Sequence, residues 1–328
     1  MTSSQPILYL NATDLDGLDL GMRDIVDILE QAFRQKAAGN VMMPPKIFFH
    51  FGEDRFYSSM VSCCPPLGYA GCKWQSGDPA NPARGLPYIQ GLYVLNEHAT
   101  GQMVAIMDAE WLTGRRTAAA SALVARHQAR QGSTELAILG CGLQGRAHLE
   151  ALSGEVPGLR RCRAYDIVPD RQAAYVEAMN GRWNGIEVVG AASAEAACRD
   201  ADIVIPGGPI QENRTPVILP GWIKQGALVV TIDYDSYVTD DCIAAMDLVL
   251  TDDRSQIEDA RRHEGKFTGV TRIDADNAEM IADGRGLRTT GTQRILAFNL
   301  GIALEDVATA AEILRRARET GAGTVLPA

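Results

Sequence analysis

The sequence predicts an α/β protein of two domains, one of them built on a doubly wound parallel sheet. The length of 328 residues exceeds the usual size of a single domain. From Glu135 onward, apolar strand-like runs alternate with helical segments, as in a parallel sheet with helices on both faces. Between Lys46 and Met107, short β-like runs follow one another, separated by turn-forming residues. This earlier region therefore predicts an antiparallel or mixed sheet.

The first half of the chain begins with a short strand near Ile7–Leu10. Residues 22–38 place their apolar side chains on one face of a helix, and Gly39 is positioned to end it. The alanine-rich residues 113–130 predict a long helix that leads out of the sheet region. Strands are predicted between these two helices in the runs KIFFHF, RFYSSMV, YAGCKW, YIQGLYVLN and QMVAIM.

The second half supplies the alternating pattern. Helices are predicted from Leu143 and after Pro169. The last segment, from Arg294 to Thr320, is predicted to be a strand and a helix that return to the first domain. The strands of the parallel sheet are predicted in ELAIL, RCRAYD, IEVVG, DIVIP, LVVTID and LVLTD.

The composition argues against several kinds of partner. With 41 acidic against 31 basic residues, the net charge of -10 opposes binding to nucleic acid or to anionic lipid. The sequence contains no apolar run of about 20 residues, the length needed to span a bilayer, and its start lacks a signal-peptide pattern. The 7 cysteines and 5 histidines show no disulfide or metal-site spacing. We expect a cytoplasmic protein with reduced thiols, no metal, no nucleic-acid partner and no membrane partner.

A glycine turn predicts a dinucleotide site. Gly140, Gly142 and Gly145 follow an apolar strand and open a helix, where backbone N–H groups and the helix dipole can meet a pyrophosphate. The next strand ends at Asp166, 21 residues after Gly145, which is the spacing of a ribose-binding carboxylate. Its charge would repel a 2′-phosphate, so NAD(H) is favoured over NADP(H), a preference that the nearby Arg171 could soften. The alternative is an ordinary turn with a solvated aspartate.

Two basic segments are candidates for the substrate side. Lys73 stands in an apolar strand, where a lysine is otherwise a solvated edge charge. Arg115 and Arg116 stand near a helix start, and an anionic ligand would offset their unfavourable position in the helix dipole. Adjacent helix residues point about 100° apart, so we expect one of the two arginines to face a site and Arg115 to face solvent.

Two further segments follow strands of the parallel sheet. Ligands of such sheets bind beyond the carboxyl ends of the strands, so Asp233 or Asp235 could face the nicotinamide and act as a base. A turn or capping aspartate is the alternative. Later in the chain, Asn299 and Gly301 join a strand to a helix, and the glycine allows close backbone approach.

These motifs together resemble the ornithine cyclodeaminase/mu-crystallin family. The similar segments are GCKW, DPANPARGLP, the Arg-Thr-Ala-Ala-Ala-Ser-Ala helix, GCGLQGR and the late Gly-x-Ala-x-Glu-Asp, spread over about Ile7 to Asp306. The resemblance implies a Rossmann domain (126–296) inserted in an α+β substrate-binding and dimerisation domain (1–125 and 297–328). It also implies a homodimer and NAD(P)-dependent chemistry at the α-carbon of amino or imino acids.

The resemblance also assigns roles to residues. Lys73 would contact the substrate carboxylate and take part in proton transfer, and Arg116 would clamp the same carboxylate. Alignment of the family's acid turn places Asp235 at the acid and Asp233 at a glycine, so Asp235 becomes the base candidate. The remaining substrate contacts are assigned to Lys46 and Met60. Cofactor contacts are assigned to Thr117, Gly140, Gly142, Leu143, Gln144, Gly145, Asp166, Ile167, Arg171, Asn299 and Gly301.

The sequence departs from the family pattern around the expected substrate. Lys46 stands where members commonly carry an arginine, and a lysine offers a point charge instead of a two-pronged clamp. Ser58 stands about where ornithine cyclodeaminases have a glutamate, and Tyr234 and Tyr237 replace small residues around the acid turn. These differences predict a substrate other than ornithine, with a bulkier or acidic side chain.

Three functions remain in view. The first is an NAD-dependent imino-acid reductase or amino-acid dehydrogenase. The second is a diamino-acid cyclodeaminase, in which NAD+ oxidises the substrate, the distal amine closes a ring, ammonia leaves and the hydride returns. The third is a crystallin-like protein that binds NAD(P)H without turnover. Lys73, Arg116 and Asp235 together favour an enzyme, because a binder needs neither a carboxylate clamp nor a base.

Overall fold

A computed structural model describes residues 6–52, 54–282, 284 and 286–327. The chain forms two compact units, Met1–Arg116 with Ile302–Ala328, and Thr117–Gly301. The domain boundaries predicted from the sequence are 125/126 and 296/297. The first division falls inside one continuous alanine-rich helix, where no sequence break marks it.

The helices and strands agree closely with the predicted order. Within the described residues, the strands are β1 (Ile7–Leu10), β2 (Ile47–Gly52), β3 (Arg55–Cys64), β4 (Tyr69–Gly77), β5 (Ile89–Glu97), β6 (Met103–Asp108), β7 (Glu135–Leu139), β8 (Arg161–Tyr165), β9 (Glu187–Gly190), β10 (Ile203–Pro206), β11 (Leu228–Thr231), β12 (Leu248–Thr251), β13 (Ala275–Asp276), β14 (Ile295–Phe298) and β15 (Thr324–Leu326). The helices are α1 (Ala12–Asp16), α2 (Met22–Ala37), α3 (Ala109–Gln128), α4 (Leu143–Glu155), α5 (Pro169–Met179), α6 (Ala194–Cys198), α7 (Asp240–Ala244), α8 (Arg254–Glu264), α9 (Asn277–Ala282) and α10 (Ala303–Thr320).

The first unit is a seven-stranded, mainly antiparallel sheet covered by helices. Its strand order is β15-β1-β6-β5-β4-β3-β2. The pairs from β2 to β6 are antiparallel, as predicted, and β1 lies parallel to β6. Helix α10 packs on β3, β4 and β5 and against α2. The inner face of this sheet is therefore the face that α10 covers.

Strands β3 and β4 of this sheet alternate between buried side chains and half-buried or exposed ones. On β3 the inner residues are Phe56, Ser58, Met60, Ser62 and Cys64, all buried. On β4 the inner residues are Gly71, Lys73, Gln75 and Gly77. Successive side chains of a strand point to opposite faces, so the alternation places Lys73 on the covered face of the sheet rather than in solvent.

The second unit is the predicted doubly wound sheet. Its strand order is β13-β12-β14-β11-β10-β7-β8-β9, with every neighbouring pair parallel. The segment from Arg294 to Thr320 was predicted to return to the first domain as a strand and a helix. In the structure its strand, β14, stays in this sheet between β11 and β12, and its helix, α10, lies in the first unit. All four residues of β14 are buried, as expected of a central parallel strand.

Some elements were not predicted. Helix α8 buries Gln256, Ile257 and Ala260 and is otherwise polar, so its apolar face is too narrow to recognise from the sequence. Strands β13 and β15 contain two and three residues, too few for a period to appear.

The cysteines, the possible metal ligands and the helix lengths can be described for the same residues. All seven cysteines are free, and five of them are buried. Among the residues that the structure describes, no group of three or more His, Cys, Asp or Glu side chains is arranged to hold a metal ion. Within those same residues, every helix is too short or too polar to cross a membrane.

Candidate active site

A buried cluster of charges lies on the inner face of the first unit's sheet. Lys73 Nζ donates to Asp306 Oδ1 at 3.1 Å and to Thr113 Oγ1 at 3.0 Å. Arg116 donates through Nε to the same Asp306 oxygen at 2.9 Å and through Nη1 to Glu305 Oε2 at 2.8 Å. The Lys73, Glu305 and Asp306 side chains are wholly buried, and that of Arg116 is 5% exposed. Two cations are thus held side by side on one carboxylate oxygen.

The acidic partners come from the start of α10. Glu305 and Asp306 occupy its first turn, where the helix dipole favours negative charge. Ser62 Oγ on β3 donates to the carbonyl of Ala303 at 2.7 Å and so joins the helix start to the inner face of the sheet. Sequence reasoning recognised this motif but gave its acids no role. The available signal was two adjacent acidic residues in the first turn of the helix, within a stretch of otherwise small and apolar residues up to Ala311.

The surroundings of Lys73 lower its pKa into the range that suits proton transfer. Burial lowers the pKa of Lys73 to about 7, Arg116 and Lys46 lower it as neighbouring cations, and Asp306 opposes them. A lysine with that pKa is present in both protonation states at neutral pH. Lys73 can therefore donate and accept a proton under the same conditions.

The predicted substrate residues gather around Lys73. Met60 is its direct partner across β3 and β4 and is buried on the same face. Lys46 is half-buried directly before β2 and acts electrostatically on Lys73. Arg115 does not face solvent as expected, because it is half-buried, its Nη2 donates to the Leu20 carbonyl at 3.3 Å and its guanidinium lies over the ring of Trp111 at 5.3 Å.

The glycine turn in the second unit has the geometry of an anion-binding loop. Gly140 has φ +108°, and a Cβ on it would lie 2.6 Å from the carbonyl oxygen of Gly207. A Cβ on Gly145 would lie 2.3 Å from the carbonyl oxygen of Gly140. Gly142 is the N-cap of α4 with no side-chain capping bond and open space around it, and Leu143 beside it is exposed. These features fit the pyrophosphate of a dinucleotide.

Asp166 is held at the edge of a cleft beside the turn. Its Oδ2 accepts from the N–H of Cys141 at 2.8 Å, and its Oδ1 accepts from the N–H of Val168 at 2.9 Å. Ile167 is 84% exposed and Arg171 is exposed as well. The cleft has a volume of about 690 Å³. It is lined by Tyr165, Asp166, Ile167, Pro169, Gln172, Ala173, Val176, Glu177, Gly190, Ala191 and Ala192.

A buried histidine connects two of the predicted cofactor contacts. His148 lies within hydrogen-bond distance of the Gln144 carbonyl through Nδ1 (2.8 Å) and of Ser121 Oγ through Nε2 (3.0 Å). Asn299 Nδ2 donates to the same Ser121 oxygen at 3.5 Å. Burial lowers the pKa of His148 to about 4, so the ring is neutral and Nδ1 carries the proton that the carbonyl accepts. Sequence reasoning considered His148 only as a metal ligand and missed this role.

The other predicted cofactor residues lie in the second unit as well. Thr117 is buried near the middle of α3, and its carbonyl oxygen lies 3.3 Å from Ser121 Oγ. The N–H of Gly301 donates to Asp252 Oδ2 at 2.6 Å, which fixes the backbone directly after Asn299.

Two carboxyl groups follow β11 at the carboxyl edge of the parallel sheet. The predicted base, Asp235, is engaged: its Oδ2 accepts from the N–H of Phe267 at 2.7 Å and pairs with Arg214 Nε at 3.3 Å. Asp233 is wholly buried, and neither of its side-chain oxygens has a hydrogen-bond partner within the described residues. Burial raises the pKa of Asp233 well above its usual value. The two carboxyl groups therefore differ in their surroundings, since Asp235 is held by Phe267 and Arg214 and Asp233 is buried without such contacts among the described residues.

The chain is similar to known proteins over nearly its whole length. The sequence model of the Ornithine cyclodeaminase/mu-crystallin family matches residues 11–321. The chain belongs to this family. The nodulation efficiency protein NfeD of Rhizobium meliloti is 30% identical over 322 residues, which cover 98% of each chain.

Two solved structures are similar over nearly their whole length. The Delta(1)-pyrroline-2-carboxylate reductase of Thermococcus litoralis, in complex with NADH and L-proline, has a TM-score of 0.87 at 26% identity, covering 98% of this chain and 100% of that one. An archaeal alanine dehydrogenase dimer with bound NAD has a TM-score of 0.86 at 28% identity, covering 98% and 99%. The predicted family and α/β fold are confirmed, as is membership among NAD-dependent enzymes of amino and imino acids.

Proposed function

We propose that the protein is an NAD-dependent oxidoreductase that acts at the Cα of an amino or imino acid. The observation that carries the proposal is the pair of buried cations, Lys73 and Arg116, on one oxygen of Asp306. Removing charges from water costs several kcal/mol each, and apolar residues in their place often stabilise a fold equally well. Such a pair is typical of a site that binds an anion. The α-carboxylate is the anion that amino and imino acids share.

The residues around this pair have separate roles in the proposed reaction. Lys73 and Arg116, with Lys46 beside them, hold the carboxylate and so fix the position of Cα. Bound NAD(H) supplies or accepts the hydride at that carbon. Lys73 and a carboxyl group after β11 exchange protons with the substrate nitrogen. The partner contacts of Asp235 lead us to propose Asp233 for the second task.

The experiment that tests this function measures turnover with and without consumption of cofactor. The purified protein is incubated with NAD+ and a panel of L-amino acids that includes alanine, proline and ornithine, and separately with NADH, 2-oxo acids and ammonia or amines. Stoichiometric conversion of the cofactor supports the proposal. Release of ammonia and a cyclic product without net NADH identifies a cyclodeaminase instead. NADH binding without any turnover identifies a crystallin-like protein.

We also propose that the cofactor is NAD(H) rather than NADP(H). The Asp166 carboxylate is fixed by two backbone N–H groups, and Glu177 lines the same cleft. Both charges oppose the 2′-phosphate that distinguishes NADP(H). The cytoplasm, which holds the NAD(H) pool, is the proposed compartment.

The outer face of the first unit's sheet supports a homodimer. Apolar side chains are exposed there across four neighbouring strands, and Tyr57 and Trp74 stack with their ring centroids 5.5 Å apart. A monomer rarely exposes a contiguous apolar patch of this kind. We propose that a second copy of the chain covers this patch. Its members are Ile47, Phe49, Phe51, Tyr57, Val61, Trp74 and Leu92.

Replacing Trp74 with Glu should convert the dimer to a monomer. Trp74 is half exposed in the patch, and a buried, unpaired carboxylate there costs several kcal/mol. The mass of the parent and variant in solution, from sedimentation equilibrium, checks this. Val217→Glu, on an exposed apolar residue outside the patch, is the matched control and should stay dimeric. A monomeric parent, or a dimeric Trp74→Glu variant, would contradict the proposal.

A further inference from the structure

Two buried polar groups beside Lys73 lack a hydrogen-bond partner. Ser58 is wholly buried and Gln75 is 8% exposed, and neither Ser58 Oγ nor Gln75 Oε1 has a partner within the described part of the chain. The two residues are direct partners across β3 and β4, next to the Met60–Lys73 pair on the same inner face. An unsatisfied buried polar group costs about 1–3 kcal/mol. Folding alone gives no reason to place two of them together.

The neighbouring polar groups on this face are satisfied or point elsewhere. Ser62, four residues after Ser58 on the same strand, donates to the carbonyl of Ala303. The hydroxyl of Tyr93 also lacks a partner, but a Cβ built on Gly71 would lie 2.1 Å from it. Gly71 precedes Lys73 by two residues and Gln75 follows it by two, so the Tyr93 hydroxyl lies on the other side of the lysine. The unsatisfied groups at Ser58 and Gln75 form a separate pair.

We propose that Ser58 and Gln75 receive the side chain of the substrate, and that this side chain ends in a neutral hydrogen-bonding group, a hydroxyl or a carboxamide. The inference rests on the proposed function, with the substrate carboxylate held at Lys73. Two residues along a strand span roughly 6.7 Å, which suits a side chain of one or two carbons before its polar group. A hydroxyl and an amide carry no charge to offset an ion taken out of water, so these residues favour a short neutral group over the bulkier or acidic side chain that the sequence departures predict.

Matched pairs of L-amino acids test the proposal. Serine is compared with alanine, and asparagine with the similarly sized leucine, by kcat/KM for NADH formation. Aspartate and 2,3-diaminopropionate serve as charged members of the panel. A site built to hydrogen-bond a substrate group rejects analogues that lack it by several orders of magnitude. We expect at least one polar member to exceed its apolar partner by about 100-fold or more, and both charged members to react more slowly.

The double variant Ser58→Ala, Gln75→Met assigns the preference to these residues. The ratio of kcat/KM for the polar amino acid over its apolar partner should fall to about ten or less in this variant. Its thermal midpoint should be equal to or higher than that of the parent, because two unsatisfied buried polar groups are removed. Ser62→Ala is the matched control, since its hydroxyl has a partner, and it should keep the parent ratio. Gln75→Met alone provides the same comparison if the double variant folds poorly.

Two kinds of failure can be told apart. If the parent prefers an apolar or charged amino acid, or if the variant keeps the parent ratio, the side-chain assignment is wrong and the proposed function stands. If the parent turns over no amino acid and reduces no 2-oxo acid or imine with NADH, the proposed function fails and takes the inference with it.

Discussion

Asp233→Asn should lower kcat by a factor of about 10² to 10⁴ on the true substrate, the usual contribution of a positioned acid or base. Asparagine has nearly the same shape as aspartate but cannot carry the proton. The side chain of Asp233 is wholly buried without a hydrogen-bond partner for either oxygen within the described residues. Its replacement should therefore leave the thermal midpoint unchanged or raise it, so that lost activity reflects lost chemistry. Steady-state kinetics and thermal unfolding of the same preparation check both statements.

Asp235→Asn is the matched comparison, two residues away. Its Oδ2 accepts from the N–H of Phe267 and pairs with Arg214, so the variant should lose stability, by about 1–3 kcal/mol, more than it loses turnover. Equal turnover of the Asp233→Asn variant and the parent would refute the assignment. A loss of kcat confined to Asp235→Asn would return the role to that residue, as the sequence alignment predicts.

Asp166→Asn should change the ratio of kcat/KM for NADH over NADPH by about 100-fold in favour of NADPH. Placing like charges together costs several kcal/mol, and each 1.4 kcal/mol is a factor of ten. Asparagine keeps an oxygen that can accept from the N–H of Cys141 or Val168, so the turn should stay intact. The exposed cation Arg171 is available near the cleft for the added phosphate.

Glu177→Gln separates a local effect of Asp166 from the general charge of the cleft. Glu177 lines the same cleft, and within the described residues it is Asp166, not Glu177, that accepts from a backbone N–H of the glycine turn. Its neutralisation should change the ratio by less than about threefold. A parent that uses both cofactors equally, or an Asp166→Asn variant with the parent ratio, would show that Asp166 does not set the preference.

The sequence predicted best those features that depend on neighbours in the chain. The alternation of strands and helices after Glu135, the glycine turn and the position of Asp166 at the end of β8 all follow from local periodicity and spacing. Lys73 was placed in a strand correctly, but the local sequence favoured an edge in solvent. Lys73 is buried because the side chains of β4 alternate between the two faces of the sheet and α10 covers the face on which Lys73 lies.

The features that could not be predicted depend on contacts between distant segments. Asp306 meets Lys73 across 233 residues and Arg116 across 190. No local pattern encodes such a meeting. The same holds for Asp233 and Asp235, which look equivalent in the sequence. The contacts of Phe267 and Arg214 with Asp235 give the two carboxyl groups different surroundings.

The composition of the first unit from both ends of the chain sets an order of events during synthesis. Strand β1 pairs with β15, and the acids that hold Lys73 and Arg116 are made after nearly all of the protein. Residues 117–301 are contiguous, so the second unit is made from one stretch of chain, whereas the first unit also needs α10 from beyond that stretch. Until α10 arrives, the inner sheet face remains wet and its two cations remain solvated. A chain that stops before Ala303 can therefore contain all of its proposed nucleotide-binding unit and still never assemble its carboxylate-binding cluster.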